Sequence, residues 1–461
     1  MRKSIFVIIL ANSISLNLFS QTKQAVEFDP FLDTLEQHTF NYFWENVDTK
    51  TGLTPDRYPS ESFSSMAAIG FALTSYGIGA QRKYISREIA ADRVLTTLKY
   101  LYQLPQGDAL MGTAGHQGFF YHFLNFRDGT RFNSDVELST IDTALLMAGV
   151  LFCQSYFERN NPTEKSIREY ADSLYLRVNW EWLQARPPVI SMGWYPDKGF
   201  HHSDWHGYNE SMILYLLALG SPTSPIPNKA WNEYTRSSIW LEYYGREFVS
   251  FGPLFGHQYS HCWIDFRGIQ DDYMRAKGID YFENSRRATY SQYEYGKDNP
   301  MKWKGYSGTL WGVTACDGPA DKLVEFNGEK RQFHSYAGRG VSADWKLDDG
   351  TIAPTAAGGS VAFAPEICIP TLKAMREQIP GLWTKYGFLD AFNLTYITDK
   401  TPHGWVDKDY LGIDQGPIVI MLENYRSELV WKIMKKNPYI VRGLERAGFT
   451  GGWLENKKIK K

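Results

Sequence analysis

Apolar residues recur at helical spacing through most of this 461-residue chain, and that periodicity limits the folds open to it. Strand-like alternation is scarce, and the best hairpin candidates are residues 118–126 and the stretch near 323–334. The sequence therefore predicts an all-α fold with minor β-hairpins in the loops. The predicted helices span residues 31–47, 64–79, 85–103, 136–158, 163–184, 208–219, 260–276, 279–295, 360–377 and 412–435.

Several of these helices begin in one style, in which a loop with aromatic residues, glycine and an acid leads into small and apolar residues. YNESMILYLLAL, YSGTLWGVTA and LGIDQGPIVIMLENY are examples. Small residues in the first turns allow close packing around an axis, whereas amphipathic helices such as 85–103 and 163–184 suit an outer layer. Alternating inner and outer helices predict an (α/α)6 toroid. Its cleft would be lined by the starts of the inner helices.

The first twenty residues have the layout of a secretory signal peptide. A basic start, MRKS, precedes the apolar run IFVIILA, which is too short to span a bilayer stably. No later segment is apolar enough to cross a membrane, and no linker divides the remainder. We therefore expect a signal peptide at residues 1–20 and a single (α/α)6 domain at 21–461, in a monomer that is exported to the periplasm or secreted.

Charge and cysteine content exclude several kinds of partner and site. The 49 Lys+Arg nearly balance the 51 Asp+Glu, so the net charge of −2 gives no electrostatic footprint for nucleic acid or an anionic membrane. The cysteines are widely spaced and match no zinc pattern, which favours free buried thiols; a disulfide in an oxidising compartment is the alternative. They are Cys153, Cys262, Cys316 and Cys368.

Aromatic residues make up 15% of the chain, and many of them lie in glycine-rich polar loops. Such rings are typical of sugar-binding clefts, because pyranose C–H faces stack on them while the hydroxyls bond neighbouring polar groups. The alternative is that the rings fasten long loops to the helical core. The loop residues predicted to wall the cleft are Trp205, His206, Tyr208, Trp303, Tyr306, Trp311 and Trp405.

Glu210 lies at the start of a predicted helix, among aromatic residues. It follows Asn209, a good N-cap, so it could simply complement the helix dipole, which would lower its pKa. Burial among Trp205 and Tyr208 would instead raise the pKa, as a general acid requires. The sequence leaves both readings open.

Three aspartates are further candidates for chemistry. On one helix, Asp135 and Asp142 would share a face about 10 Å apart along the axis, with Ser134 as the N-cap. Asp135 could therefore serve the cap or a site, whereas Asp142, two turns into an apolar helix, needs a partner. Asp414 lies between two glycines and allows either role. Weaker candidates of the same kind are Asp390 and Glu366.

Two carboxylates across a polar cleft are the minimum needed for glycoside hydrolysis. One protonates the leaving oxygen, and the other activates water or attacks the anomeric carbon. The residues leave two rival chemistries open. A zinc site could draw on His201, His202, Asp204, His206, His257 and His261, and an eliminating lyase on His206, Tyr208, Arg267 and Arg339.

Long motifs in the chain resemble the bacterial "putative glucoamylase" family. They include SDVELSTIDTALLMAGVLF, HHSDWHGYNESMILYLLALG and YLGIDQGPIVIMLENYRS, and the resemblance runs from about residue 31 to 450. Characterised members include the glycoside hydrolase family 144 enzymes, which cut β-1,2-glucan by inversion; some are endo-acting and some release sophorose. The resemblance implies an (α/α)6 toroid that hydrolyses a β-glucan with no metal and no organic cofactor.

The resemblance also implies roles for individual residues. The glutamate of the YNE motif is the family's favoured general acid, which here is Glu210. Inverting relatives use an aspartate across the cleft as base, in some cases through a relay, and Asp414 matches by position with Asp142 in reserve. Asp135 and Asp142 would line the subsite around the scissile bond. Apart from the resemblance, we expect Glu366 and Asp390 to contact substrate as well. The alternatives are a non-catalytic glycan-binding protein and a polysaccharide lyase.

Overall fold

Helices joined by short paired strands make up the fold of the computed structural model, which describes residues 28–326 and 328–458. The predicted helix-rich class is confirmed, and the predicted signal peptide at residues 1–20 lies outside the described part. Two 3-10 turns occur at Glu181–Leu183 and Leu254–His257. The described α-helices are α1 (Pro30–Glu45), α2 (Met66–Arg82), α3 (Arg87–Gln103), α4 (Thr140–Tyr156), α5 (Pro162–Leu176), α6 (Met212–Gly220), α7 (Lys229–Arg236), α8 (Tyr259–Trp263), α9 (Asp272–Lys277), α10 (Tyr281–Asp298), α11 (Pro354–Gly358), α12 (Pro365–Gln378), α13 (Gly412–Ser427), α14 (Leu429–Met434), α15 (Pro438–Arg446) and α16 (Gly452–Lys458).

Helix α4 begins later than its apolar periodicity predicts. Ser139 is its N-cap, because the Ser139 hydroxyl accepts the backbone N–H of Asp142, so the predicted cap at Ser134 is wrong. Asp135 lies in an exposed turn before the helix and does not share a helical face with Asp142. The cap places Asp142 in the first turn, where its carboxylate faces the helix start rather than the helix interior.

Three other predicted helices differ from the structure. The segment 260–276 forms two short helices, since Asp271 caps a new helix after an extended stretch. The segment 412–435 breaks at Glu428, whose φ of 60° separates α13 from α14. No helix forms in YSGTLWGVTA at residues 306–315, and the short helices α7, α11, α15 and α16 were not predicted.

The helices form two kinds of environment. Helices α2, α4, α6 and α13 are buried on nearly all sides, whereas α3 and α5 bury only one face, as the amphipathic pattern predicts. Helices α2 and α4 pack backbone against backbone: a Cβ placed on Gly149 would lie 2.1 Å from the carbonyl oxygen of Gly70. Helix α13 packs on α1 and α2, α3 on α5, and α6 on α15.

Short antiparallel strands shape the loops at the helix starts. Strand β2 (Ser64–Ser65) leads directly into α2 and pairs with β5 (Phe123–Leu124). Strand β6 (Leu138–Ser139) leads into α4 and pairs with β8 (Gly193–Tyr195). Strand β23 (Tyr410–Leu411) leads into α13 and pairs with β1 (Arg57–Tyr58), and these pairings fix the loops. The hairpin predicted near 323–334 is confirmed as β14 (Lys322–Phe326) and β15 (Glu329–Phe333). The hairpin predicted at 118–126 is wrong, because β4 (Phe119–Phe120) pairs with β3 (Gly115–His116), and β5 pairs with β2. The strands are β1 (Arg57–Tyr58), β2 (Ser64–Ser65), β3 (Gly115–His116), β4 (Phe119–Phe120), β5 (Phe123–Leu124), β6 (Leu138–Ser139), β7 (Ile190–Ser191), β8 (Gly193–Tyr195), β9 (Gly199–Phe200), β10 (Asp204–Trp205), β11 (Trp240–Tyr243), β12 (Arg246–Val249), β13 (Ala315–Cys316), β14 (Lys322–Phe326), β15 (Glu329–Phe333), β16 (Ala337–Gly338), β17 (Gly340–Val341), β18 (Lys346–Leu347), β19 (Trp383–Thr384), β20 (Gly387–Phe388), β21 (Phe392–Asn393), β22 (Trp405–Val406) and β23 (Tyr410–Leu411).

The four cysteines are buried free thiols, as predicted. One hydrophobic cluster contains residues from Phe31 in α1 to Leu454 in α16. Among the described residues, the helices are all too short or too polar to traverse a bilayer.

Candidate active site

Glu210 occupies a turn just before α6 rather than the first turn of the helix. Asn209 holds this turn, because its side-chain oxygen accepts the backbone N–H of Ser211 at 2.9 Å. The carbonyl oxygen of Glu210 accepts the hydroxyl of Ser260 at 3.1 Å, which ties the turn to α8. The cap and the acid are therefore neighbouring residues with separate tasks, Asn209 ordering the turn and Glu210 free for chemistry.

The carboxyl group of Glu210 is in the state that a general acid needs. Its Oε2 is buried and has no hydrogen-bond partner among the described residues. Burial raises the pKa of Glu210 to about 7, and the negative charge of nearby Asp142 adds to the effect. Desolvation raises the pKa more than the hydrogen bond from the residue's own backbone N–H lowers it. Glu210 can therefore hold a proton near neutral pH.

Asp142 is linked to a histidine that the sequence analysis did not identify. His122 lies 2.8 Å from Glu137 through Nδ1 and 3.4 Å from Asp142 through Nε2. The two carboxylates raise the pKa of His122 to about 9 despite its desolvation, so an imidazolium stands between them. Burial still raises the pKa of Asp142, which also accepts the Ser139 hydroxyl. Asp142 thus belongs to an ion-paired group next to Glu210.

Asp414 and Asp390 form a pair of buried carboxyl groups. Asp414 lies in the first turn of α13, and its carboxyl is near enough to that of Asp390 for the two to influence each other's pKa. Each residue is 2% exposed, and burial raises the pKa of both above the usual range of a carboxyl, with the charge of Asp414 adding to the shift of Asp390. Two neighbouring buried carboxyls favour a state in which one of them holds a proton. The backbone N–H of Asp317 donates to Asp390 Oδ2 at 2.8 Å.

Arg57 joins further acids to this pair. Its guanidinium donates to Asp317 at 2.7 Å and to Asp56 at 3.3 Å. A cavity of about 520 Å³ opens beside it, lined by Asp317, Asp407 and Asp409, whose carboxylates offer oxygen atoms within 4.8 Å of one another. Burial and then the charge of Asp317 raise the pKa of Asp407 to about 7. A smaller cavity of about 140 Å³ connects Arg57 and Asp56 with His122, Phe123 and Tyr336.

Tyr259 in α8 links the two halves of the site. It is 4% exposed, and burial together with the charges of Asp414 and Glu210 raises the pKa of its phenol well above the usual range. Glu210 and Asp414 therefore both act on the same buried phenol. Together with the groups described above, they form one connected set of acids at the starts of α4, α6 and α13.

Some predicted cleft residues line cavities. His206 and Tyr208 line a mainly apolar cavity of about 440 Å³ beside Asn209, together with Trp345, which is 43% exposed. Tyr208 accepts or donates a hydrogen bond with His257 at 3.1 Å. Trp405 lines the cavity of the three aspartates on the other side of the site. These positions agree with a role in substrate binding.

Other predicted cleft rings pack inside loops instead. Trp303 and Tyr306 both donate to Asp348, at 2.8 and 2.7 Å, and are 2% and 7% exposed. Trp311 is fully buried, and Trp205 donates from Nε1 to Thr140 in α4 at 2.8 Å. Rings in such positions fasten loops to the helices, so they do not support the predicted stacking role.

Two predicted acids lie apart from this set in the described structure. Asp135 is in the exposed turn before α4. Glu366 is exposed on α12 and forms an ion pair with Arg286 and a hydrogen bond with Tyr290. Neither residue lines one of the cavities described above.

Several residues of the rival chemistries have other partners. Nδ1 of His257 lies 3.1 Å from the Tyr208 hydroxyl and Nε2 lies 3.2 Å from the Phe251 carbonyl oxygen, and Asp204 pairs with Arg186. Arg267 binds Asp265 and Glu428 beyond the C-terminal end of α13. Glu428 is fourteen residues from Asp414, about 21 Å along a helix at 1.5 Å per residue. Arg267 is therefore at the opposite end of the helix from the acids, whereas the second arginine considered for a lyase, Arg339, is buried in an ion pair with Asp349.

A family described as "Putative glucoamylase" matches residues 202–438 of the chain. The chain belongs to this family. The matched segment contains Glu210, Asp317, Asp390 and Asp414, so the family's shared region includes both sides of the acidic set.

Relatives of the chain include enzymes with named substrates. A curated protein of Parabacteroides distasonis, "Exo beta-1,2-glucooligosaccharide sophorohydrolase (non-reducing end)", is 27% identical over 469 residues. That alignment covers 93% of this chain, which spans 59% of the relative's length. The endo-beta-1,2-glucanase of Chitinophaga pinensis, solved with sophorotriose and glucose, has a TM-score of 0.80 and 28% identity, with 93% of this chain and 100% of that chain covered.

A structure with no stated substrate is equally similar. The putative glucoamylase of Bacteroides uniformis has a TM-score of 0.79 and 30% identity, covering 92% of this chain and 98% of that chain. Membership of the family therefore rests on similarity over nearly the whole chain, whereas the named activities are those of the individual relatives.

Several site residues were missed although their motifs had been recognised. Asp407 and Asp409 precede the GIDQGP motif, Asp317 follows a predicted helix that does not form, and Arg57 lies in a short strand. Their signal was the density of acids beside glycine and aromatic residues. His122 gave no such signal, because its ion pairs depend on how β5 and β6 are placed.

Proposed function

We propose that the protein is an exported, inverting glycoside hydrolase that cleaves β-1,2-glucan or its oligosaccharides. The observation that carries the proposal is the buried carboxyl of Glu210, whose pKa is about 7; the buried Asp390–Asp414 pair at the start of α13 supports it. Two relatives at 27% and 28% identity are named as β-1,2-glucan hydrolases, which supports the linkage. We further propose that the inner and outer helices form an (α/α)6 toroid and that the protein acts as a monomer.

In this proposal Glu210 delivers its proton to the glycosidic oxygen as that bond breaks. Asp414 removes a proton from the water that attacks the anomeric carbon from the opposite face, directly or through a relay. The proton held by Asp390 keeps a hydrogen bond on Asp414, so that Asp414 retains the ionised share of the pair and can act as base. One proton is donated and one is taken up, so the enzyme is recharged by exchange with solvent.

Incubation with purified β-1,2-, β-1,3- and β-1,4-glucans, followed by sizing of the products, tests this function. Release of sophorose alone indicates exo action and a ladder of oligosaccharides indicates endo action. Proton NMR during the first minutes identifies the anomer formed and thus inversion or retention. Turnover of the other glucans without turnover of β-1,2-glucan would reject the proposed linkage. Products that absorb in the ultraviolet would reject hydrolysis.

A further inference from the structure

The acids of the site far outnumber its cations. For this purpose the acidic cleft is the set of described carboxyl groups that line the two cavities beside Arg57 or connect to them. Its nine acids are Asp56, Glu137, Asp142, Glu210, Asp317, Asp390, Asp407, Asp409 and Asp414. The cations in contact with the same cavities are Arg57, His122 and Lys408. Asp56, Asp317, Asp407 and Asp409 line the cavities themselves beside these three cations, and the other five acids connect to the cavities through His122 or Asp317, directly or by way of a further acid.

The geometry points to a charge filter: we propose that the acidic cleft admits uncharged glucan chains and rejects glucans that carry anionic substituents. This inference rests on the proposed function and names the substrate class within it. It concerns which β-glucan enters the cleft, not which bond is cut.

Hydrogen-bond chemistry favours a neutral ligand. Asp407 lines the 520 Å³ cavity and is 7% exposed, and its Oδ2 is buried without a hydrogen-bond partner among the described residues. Its Oδ1 already accepts the backbone N–H groups of Lys408 and Asp409, at 2.7 and 3.3 Å. A sugar hydroxyl can donate to the remaining oxygen, whereas a ligand carboxylate or phosphate can only accept.

Two of the three cations are already paired with acids of the cleft. Arg57 is paired with Asp56 and Asp317, and His122 with Glu137 and Asp142. An anionic substituent would have to compete for these cations, leave a buried carboxylate unpaired, or force the acids to take up protons. The pKa values of Asp390 and Asp407 agree with this. Burial, and then the negative charges of neighbouring acids, already raise both pKa values, and a further negative charge in the cleft would raise them more.

A matched pair of substituted glucans tests the filter. β-1,2-glucan is acylated to the same low degree with acetyl groups, which are neutral, or with succinyl groups, which add a carboxylate. We expect kcat/KM for the succinyl glucan to be at least tenfold below that for the acetyl glucan. The ratio should shrink in 0.5 M NaCl, since salt screens the repulsion. Equal rates for the two derivatives would overturn the filter.

Variants and a binding measurement separate this inference from the proposed function. Asp407→Asn removes one negative charge and should narrow the acetyl-to-succinyl ratio, whereas the exposed Glu169→Gln on α5 should leave it unchanged. Titration calorimetry of the Glu210→Gln protein with both derivatives measures selection without turnover. Tighter binding of the acetyl glucan supports the filter even if no glucan is cleaved. Equal affinity, or an unchanged ratio in Asp407→Asn, overturns it.

Discussion

Replacing Glu210 with glutamine tests two properties separately: its proposed role as general acid, and the stability that the protein loses by burying its ionised carboxylate. In the folded chain the pKa of Glu210 is about 7, against 4.5 for an ordinary glutamate, so the folded state binds the proton more tightly than the unfolded state. Stability is therefore undiminished below about pH 4.5, falls as the pH rises toward 7, and is level above that. The difference between the two pKa values corresponds to about 3 kcal/mol.

Glutamine is neutral in both states, so Glu210→Gln should escape this loss. We expect the variant to be more stable than the native chain by up to about 3 kcal/mol at pH 8 and nearly equal to it at pH 4. Urea denaturation at a series of pH values measures the difference. The same variant should lose about 10²–10⁴ in kcat, because an amide cannot protonate the leaving oxygen.

The exposed Glu169→Gln serves as the matched control and should change neither property. A stability gain that is the same at pH 4 and pH 8 would refute the reasoning, since it would come from packing and not from the displaced pKa. Full retention of activity would show that Glu210 only orders the turn before α6. Stability and activity thus test the burial and the acid role independently.

Three further results are expected. Native kcat/KM should fall about tenfold per pH unit above pH 7, and Asp142→Asn should move this limb to lower pH, because the charge of Asp142 helps raise the pKa of Glu210; a limb that stays in place contradicts the contact. Trp303→Phe should lose about 1.5–3 kcal/mol in chemical denaturation, since its bond to Asp348 is lost, but keep its KM; a raised KM at unchanged stability would restore the stacking role. Gly149→Ala should lower the melting temperature by at least the equivalent of about 1–3 kcal/mol in a thermal scan, because its Cβ would clash with a backbone carbonyl of α2, and an unchanged melting temperature would contradict that packing.

The sequence predicted the helices better than the loops for a physical reason. Apolar periodicity reports which side of a helix is buried, so α2, α4 and α13 lie close to their predicted positions. Capping and strand pairing set where each helix begins, and these depend on partners distant in the chain. Ser139 replaced the expected cap at Ser134 because β6 pairs with β8 and carries the chain to a later start.

The acids of the site likewise divide into those that could be identified from the sequence and those that could not. Glu210, Asp142 and Asp414 were identifiable because each lies at the start of an apolar helix, where a charge needs an explanation. The effect of Asp390 on Asp414 was not, since it requires two segments of the chain to meet at the start of α13. Aromatic residues in loops gave the weakest signal. Trp405 and Trp303 look alike in sequence, yet one lines a cavity and the other donates to a buried aspartate.

The paired acids follow from how this fold is built. Helices α4 and α13 each start in a loop held by short strands and carry an acid in the first turn, Asp142 and Asp414, and the charge of Asp142 acts on Glu210 in the turn before α6. Arg57 and His122 neutralise only part of that charge, because each is already bound between two carboxylates. Burial, and then the charges of neighbouring acids, raise the pKa values of Glu210, Asp390 and Asp414, so these groups hold protons near neutral pH. The raised pKa values that the proposed general acid and base pair require therefore follow from burying acids close together at the starts of helices.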